Sequence, residues 1–220
     1  MRKLTGAVFV SLDGVMQAPG GSEEDPTGGF RFGGWVAPFW AEDMGPFEAL
    51  IMGDYDLLLG KRTYDIFSAY WPYHQDDPIG AKFETINKYV LTHSDEPLAW
   101  RNSSKLSGDT PDAVAELKRT DGRDLLIQGS SQLYSPLLSA GLIDRLVLLT
   151  FPVALGRGKR IFDGSQTPGA MKLVEHFVTS KGVVIAAYEP AGEVRTGGFG
   201  PDEPSERELR RRAQIREGTW

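Results

Sequence analysis

Two junctions, each an apolar run ending in glycine ahead of a helical segment, hold the residues of this chain best suited to chemistry. The first is Leu57-Leu58-Leu59-Gly60-Lys61-Arg62-Thr63-Tyr64. Glycine lets a ligand approach the backbone closely, and the helix start that follows offers free N–H groups to an anion. Lys61 and Arg62 add cationic heads, as recognition of a ribose phosphate requires. The bland alternative is a tight turn with two solvated bases. The second junction is Leu125-Leu126-Ile127-Gln128-Gly129-Ser130-Ser131-Gln132-Leu133, where hydroxyls stand ready to cap the next helix. Alone, the first junction favours the turn, and the second reads equally well as a plain N-cap. Two strand ends of this kind in one domain suggest two phosphate contacts of one extended nucleotide.

A third candidate is Phe9-Val10-Ser11-Leu12-Asp13-Gly14, with a hydroxyl and an acid at the end of the first strand. They could orient a polar substrate, although Asp13-Gly14 taken alone favours a turn. Trp35, Phe39, Trp40, Trp71 and Tyr73 could stack on a flat heterocycle, but core packing is the commoner use of such residues.

Other chemistries fall away. The chain has no cysteine, which excludes disulfides, thiolate catalysis and cysteine-based zinc sites. His74, His93 and His176 lack any paired metal spacing, so no metal is expected. No serine lies in a Gly-x-Ser-x-Gly elbow. Gly156-Arg157-Gly158 lacks the third glycine of a dinucleotide fingerprint, and Gly60-Lys61 is followed by Arg62 rather than a hydroxyl.

The elements that must position these residues alternate in type. Strands are expected at Lys3–Ser11, Asp56–Leu59, Lys88–Thr92, Leu125–Ile127 and Leu146–Val153. Helices are expected at Ala41–Met52, Thr63–Tyr70, from an N-cap at Thr110 to Arg119, and Ser131–Ala140. Residues 14–34 contain nine glycines or prolines and form a long loop, of a length that is usually functional or mobile. A terminal hairpin spans 171–179 and 183–188. Repeated strand–helix–strand units give an α/β fold with a mainly parallel, doubly covered sheet and an antiparallel edge.

The 220 residues suit one full domain and an appendage. A boundary near Ala191 separates a 1–190 domain from a 191–220 tail, whose Gly197–Pro201 stretch has linker composition and whose Ser205–Glu208 stretch suggests a short charged helix. Six acids and six arginines balance in the tail, so the whole net charge of −6 belongs to the body. Such an acidic chain is a poor general partner for nucleic acid or anionic membranes. No stretch approaches the roughly 20 apolar residues of a membrane span, and the start has no signal-type segment. The expectation is a soluble cytoplasmic protein.

In order, Ser-Leu-Asp-Gly, Leu-Leu-Gly-Lys-Arg-Thr-Tyr, Tyr-Val-Leu-Thr and Leu-Ile-Gln-Gly-Ser-Ser-x-Leu, followed by Gly141–Leu146 and Phe151–Gly158, resemble the dihydrofolate reductase superfamily. The closer resemblance, over about residues 3–190, is to the riboflavin-biosynthesis reductase (RibD C-terminal domain-like) branch. It implies a three-layer dihydrofolate reductase-like fold. It also implies an NADPH-dependent reductase passing hydride to a C=N or C=O bond of a small heterocyclic substrate. Gly60, Lys61, Arg62 and Thr63 resemble the segment that grips the adenosine-side phosphates of NADPH. Leu91, Thr92, His93 and Ser94 resemble the segment along the adenosine. Gly129, Ser130, Ser131 and Leu133 resemble the turn at the pyrophosphate. Ser11 and Asp13 match the signature near nicotinamide and substrate. Asp43, in Asp43-x-x-x-Phe47-x-Ala49-Leu50, resembles the acid of the dihydrofolate reductase helix, so Asp13 and Asp43 are the catalytic candidates.

The substrate would be that of a 5-amino-6-(5-phosphoribosylamino)uracil reductase or of a dihydrofolate reductase. Val15 departs from the lysine common in the riboflavin-type enzymes, and with no cysteine in these residues no zinc deaminase half is expected in them. A homodimer is implied, with the terminal hairpin and tail as contact surfaces. The alternative is a non-catalytic nucleotide-binding or interaction module that keeps the fold.

Overall fold

The computed structural model describes residues 1–200 and 203–220; Pro201, which closes the linker-like stretch, and Asp202, one of the tail acids, lie outside the described residues. The chain begins with β1 (Leu4–Ser11), whose apolar residues enter cores on both sides of the sheet. There follow α1 (Gly45–Ile51), β2 (Tyr55–Gly60), α2 (Lys61–Tyr70), α3 (Pro78–Thr85), β3 (Lys88–Leu91), β4 (Ser103–Leu106) and α4 (Thr110–Arg119). Then come β5 (Asp124–Gln128), α5 (Ser131–Ser139), β6 (Arg145–Phe151), β7 (Met171–Val178), β8 (Val184–Pro190) and α6 (Glu206–Glu217).

The described residues form one eight-stranded sheet in the order β4-β3-β2-β5-β1-β6-β8-β7. The first six strands in that order pair in parallel, and β8 and β7 join antiparallel. Strands covered on both faces lose the polar alternation of a one-sided sheet, and β2 accordingly reads Tyr-Asp-Leu-Leu-Leu-Gly with all but its glycine buried. Alternate residues of these strands feed two cores. Leu57, Leu59 and Ala7 pack with Phe47 of α1, Tyr64 of α2 and Phe83 of α3. Leu58, Val8 and Ile127 pack with Val114 of α4 and Tyr134 of α5. This is a three-layer α/β fold with an antiparallel hairpin at one edge.

Several boundaries shift for local reasons. The helix expected from Ala41 begins only at Gly45, because proline has no N–H and belongs in a first turn, where Pro46 sits. Thr110 is the first residue of α4 rather than its cap; Asp109 occupies the cap position. Neither α3 nor the polar edge strand β4 was expected. In β4, Ser-Ser-Lys-Leu is half exposed and lacks an apolar run. The tail helix is longer than the four-residue signal, at twelve residues, and none of them is buried.

Lys88 is fully buried at the start of β3. Its ammonium donates to the carbonyls of Phe83 and Ile86 and lies 4.3 Å from the ring centre of Trp100. Burial pushes its pKa down to about 8. No helix among the described residues is long and apolar enough to cross a membrane.

Candidate functional site

The tips of the parallel strands open into a cavity of about 1120 Å³. Parallel β2 and β5 bring both glycine junctions to this edge side by side, pairing Leu58 with Ile127. The junctions then lock together. The Gly60 N–H donates to Ser130 Oγ at 2.8 Å, and that hydroxyl donates to Thr63 Oγ1 at 2.8 Å. A Cβ on Gly60 would lie 3.3 Å from Ser130 Oγ, and one on Gly129 would lie 3.0 Å from Thr63 Cγ2. Gly129 and Ser130 also have φ of +82° and +61°, a region that favours glycine at the first and strains the second. The glycines therefore let two protein segments meet before any ligand arrives. Ser130 stands at the cap position of α5 yet makes no capping bond, because its hydroxyl crosses to the other junction.

Gly60, Lys61, Arg62, Thr63, Leu91, Thr92, His93, Gly129, Ser130, Ser131 and Leu133 all line the cavity. Lys61 is engaged with Asp65 at 2.7 Å and Glu96 at 3.1 Å; hydrogen bonds from it to Asp65 and Glu96 hold its pKa above the usual lysine range. Arg62 is exposed and makes no ion pair among the described residues. Gln128 lines the same wall, and its Oε1 is buried with no hydrogen-bond partner. A buried acceptor left unpaired is costly, so this oxygen fits a ligand hydroxyl or amide.

Four expected site residues do not line the cavity. Ser94 accepts from the N–H of Glu96 at 3.2 Å and shapes the turn after β3. Ser11 is buried, donating to Asp13 at 2.7 Å and accepting from the Val15 N–H at 2.9 Å. Asp13 also accepts from the N–H groups of Leu155 and Gly156 at 2.9 and 2.8 Å and lies 3.3 Å from Arg160. The hydrogen bond from Ser11, joined by those backbone donors, holds its carboxyl well below the usual range. A carboxylate so fully paired is a clamp between β1 and the 155–160 segment, unsuited to donating a proton. Asp43 lies on the turn before α1, not on the helix, and accepts from Ser180 N–H and Oγ at 2.7 and 3.0 Å. It ties that turn to the terminal hairpin.

The 14–34 loop supplies what the motifs did not reveal. Met16 to Asp25 lines the cavity. Gln17 fastens the loop by donating to the carbonyls of Asp25 and Thr27, both at 2.9 Å, and accepting from the Lys159 N–H at 3.1 Å. Trp35 donates to the Gln17 carbonyl at 2.9 Å. Burial raises the pKa of Asp25, but the Lys159 ammonium and Thr27 outweigh it and hold the carboxyl low. Met16 joins the core on the α4/α5 side and Ala18 the core on the α1/α2 side, so the loop crosses the strand tips.

The cavity crosses with it. On the α1/α2 side its wall includes Phe9, Phe47, Phe67, Tyr70 and Trp71. Helical spacing could have found part of this wall, since Thr63, Phe67 and Tyr70 share one face of α2. Of the five aromatics singled out in sequence, Trp71 alone lines the cavity; Trp35 is buried in the core and Tyr73 projects outward. Glu24, which also lines the cavity, is half-buried, its Oε2 accepting from the N–H groups of Gly20 and Gly21 at 2.6 and 3.1 Å. Burial pushes its carboxyl pKa up. Among the described residues, no group of three side chains is placed to hold a metal.

This arrangement has relatives. The uncharacterized protein YyaP of Bacillus subtilis (strain 168) is 24% identical over 191 residues, covering 85% of this chain and 94% of its own. A protein assigned to riboflavin biosynthesis from Shewanella sp. PV-4 superposes with a TM-score of 0.66 at 20% identity, over 87% of this chain and 99% of that one. Dihydrofolate reductase from Enterococcus faecalis, solved with NADP(H) and RAB-propyl, superposes with a TM-score of 0.52 at 17% identity, over 86% and 96%. The family model of the RibD C-terminal domain matches residues 2–185. With the sheet order and its closing hairpin, that match shows that the chain belongs to the RibD C-terminal domain family, the riboflavin-biosynthesis reductase branch of the dihydrofolate reductase-like fold.

Proposed function

We propose that this protein is an NADPH-dependent reductase of a small heterocyclic compound, working in the cytoplasm. One observation carries the reading: a single cavity is lined both by the locked glycine junctions at the tips of β2 and β5 and by an aromatic wall of Phe47, Phe67, Tyr70 and Trp71. A dinucleotide needs the first half and a flat substrate the second. Bound there, NADPH supplies a hydride to a C=N or C=O bond. The chain's own part is to hold and orient. The N–H groups at the start of α5 and the Gly129 turn suit the pyrophosphate, and Arg62 suits a phosphate on the adenosine ribose. The unpaired Gln128 oxygen suits a hydroxyl or amide donor. Met16 to Asp25 crosses the strand tips and forms part of the wall against which both ligands would be held.

Titrating the protein with NADPH while following tryptophan emission tests the first step, because Trp71 lines the cavity. The expected outcome is quenching at micromolar cofactor; no binding overturns the reading. The second step is oxidation of NADPH in the presence of pteridines, pyrimidines or carbonyl compounds. A non-catalytic nucleotide-binding module is the second reading, favoured by the placement of Asp13 and Asp43 outside the cavity. Binding without oxidation across those compounds would select it.

We further propose a homodimer. All eight residues of β7 are exposed, including Leu173, Val174 and Phe177, and a bare edge strand of this kind suits a second copy. Light scattering on the chain with and without 191–220 separates the hairpin's contribution from the tail's.

A further inference from the structure

The two halves of the cavity differ in charge, and the difference bears on the substrate. Among the described residues, the basic side chains on the cavity wall are Lys61, Arg62, His93 and Lys159. Lys61 and Arg62 open α2, and His93 follows the tip of β3. Tyr70, at the far end of α2, is eight residues beyond Arg62, about 12 Å of helix rise. Lys159 is consumed by the loop: its ammonium pairs with the buried Asp25 and donates to Thr27 Oγ1 at 2.9 Å. The aromatic half thus has no free cation.

It does have acid. Glu24 lines the cavity, with one carboxylate oxygen held by the N–H groups of Gly20 and Gly21, which follow Ala18 of the core that holds Phe47 and Tyr64. Glu23 lies beside it, exposed. A phosphate taken into this half would be desolvated without a partner and would face like charge. A flat ring meets aromatic side chains with rings suited to stack or pack edge-on. We propose that the aromatic half takes a planar ring compound that bears no phosphate, with the Glu24 carboxyl hydrogen-bonding to its polar edge. This rests on the reductase reading for the other half of the cavity.

Calorimetric titration of the NADPH-saturated protein with matched pairs tests it: riboflavin against riboflavin 5′-phosphate, and uridine against uridine 5′-phosphate. Saturating NADPH keeps these probes out of the nucleotide half. In at least one pair, the unphosphorylated member is expected to bind about tenfold tighter or more, a difference of roughly 1.4 kcal/mol. E24Q removes the negative charge and keeps a hydrogen-bonding group, so the preference should shrink to about threefold or less in that variant. Thermal unfolding alongside confirms that the variant is folded, and the pair comparison on the unaltered protein stands without it. Equal or tighter binding of the phosphorylated member in both pairs overturns the proposal, as does failure of both unphosphorylated compounds to bind. Failure of NADPH itself to bind overturns the reductase reading and this proposal together. NADPH binding with no preference between members overturns this proposal alone.

Discussion

The Ser130 hydroxyl accepts the Gly60 N–H at 2.8 Å, so one side chain at the tip of β5 fastens the tip of β2. The same oxygen donates to Thr63 in the first turn of α2. One hydroxyl therefore sets the spacing of the two junctions that a dinucleotide would bridge.

Ser130→Ala removes both bonds and leaves the Gly60 N–H without its partner. Loss of about 1 kcal/mol of stability is expected, as for a part-buried donor left unsatisfied beside an open cavity. Urea unfolding of the variant checks it, and an unchanged midpoint would contradict the clamp.

Gly129→Ala and Gly141→Ala separate backbone strain from crowding. Both positions have positive φ, but a Cβ at Gly141 meets nothing within 4 Å, whereas one at Gly129 meets Thr63 Cγ2 at 3.0 Å. Each substitution is expected to cost about 1 kcal/mol for its conformation. Gly129→Ala should cost more and weaken NADPH, while Gly141→Ala leaves cofactor affinity unchanged. Paired denaturation and fluorescence titrations read both.

Arg62→Ala should weaken NADPH about 10- to 100-fold, the size of one charge-assisted contact, and NADH far less. Lys61→Ala should have a smaller effect, because Lys61 is already paired with Asp65 and Glu96. Equal weakening of the two cofactors by Arg62→Ala would remove Arg62 from the ribose phosphate.

Asp13→Asn should be less stable than the parent at neutral pH. The folded carboxyl is held low, chiefly by Ser11. Its contribution is therefore present above the unfolded pKa of about 4 and lost as pH falls below it. The deficit of the variant should shrink on acidification. Unfolding curves across that range test it, and a deficit independent of pH would mean that charge plays no part.

Lys88→Met reads a group of opposite sign. Burial lowers the Lys88 pKa to about 8 in the folded chain, against about 10.4 when unfolded. Below pH 8 the folded state carries a buried charge at full cost. Between about 8 and 10.4 the unfolded state binds more protons, so the parent gains stability relative to the variant, on the order of 3 kcal/mol. A stability difference that stays flat across alkaline pH would refute this.

Much of the fold was legible because local signals and burial agree. Leu57-Leu58-Leu59 and Leu125-Leu126-Ile127 read as strands covered on both faces, and they are. The edge strand β4 escaped because Ser103-Ser104-Lys105 is half exposed and has no apolar pattern. The glycine junctions were legible as a pair, but their mutual contact was not. Nothing in either segment reports that Gly60 and Ser130, 70 residues apart, share a hydrogen bond.

By itself the sequence determined the strand–helix alternation, the acidic body and balanced tail, and the ordered motifs that carry the family. Those features are local or compositional, and short-range sterics with hydrophobic periodicity suffice to write them. The tertiary structure decided which side chains face one another. It turned Asp13 and Asp43 into fasteners, because the N–H groups that saturate them arrive from residues 155–156 and 180. It brought the loop from Met16 to Asp25 over the strand tips, because Gln17 and Asp25 find their partners near Lys159. Contacts across more than a hundred residues depend on packing of the whole sheet, and no spacing along the chain encodes them.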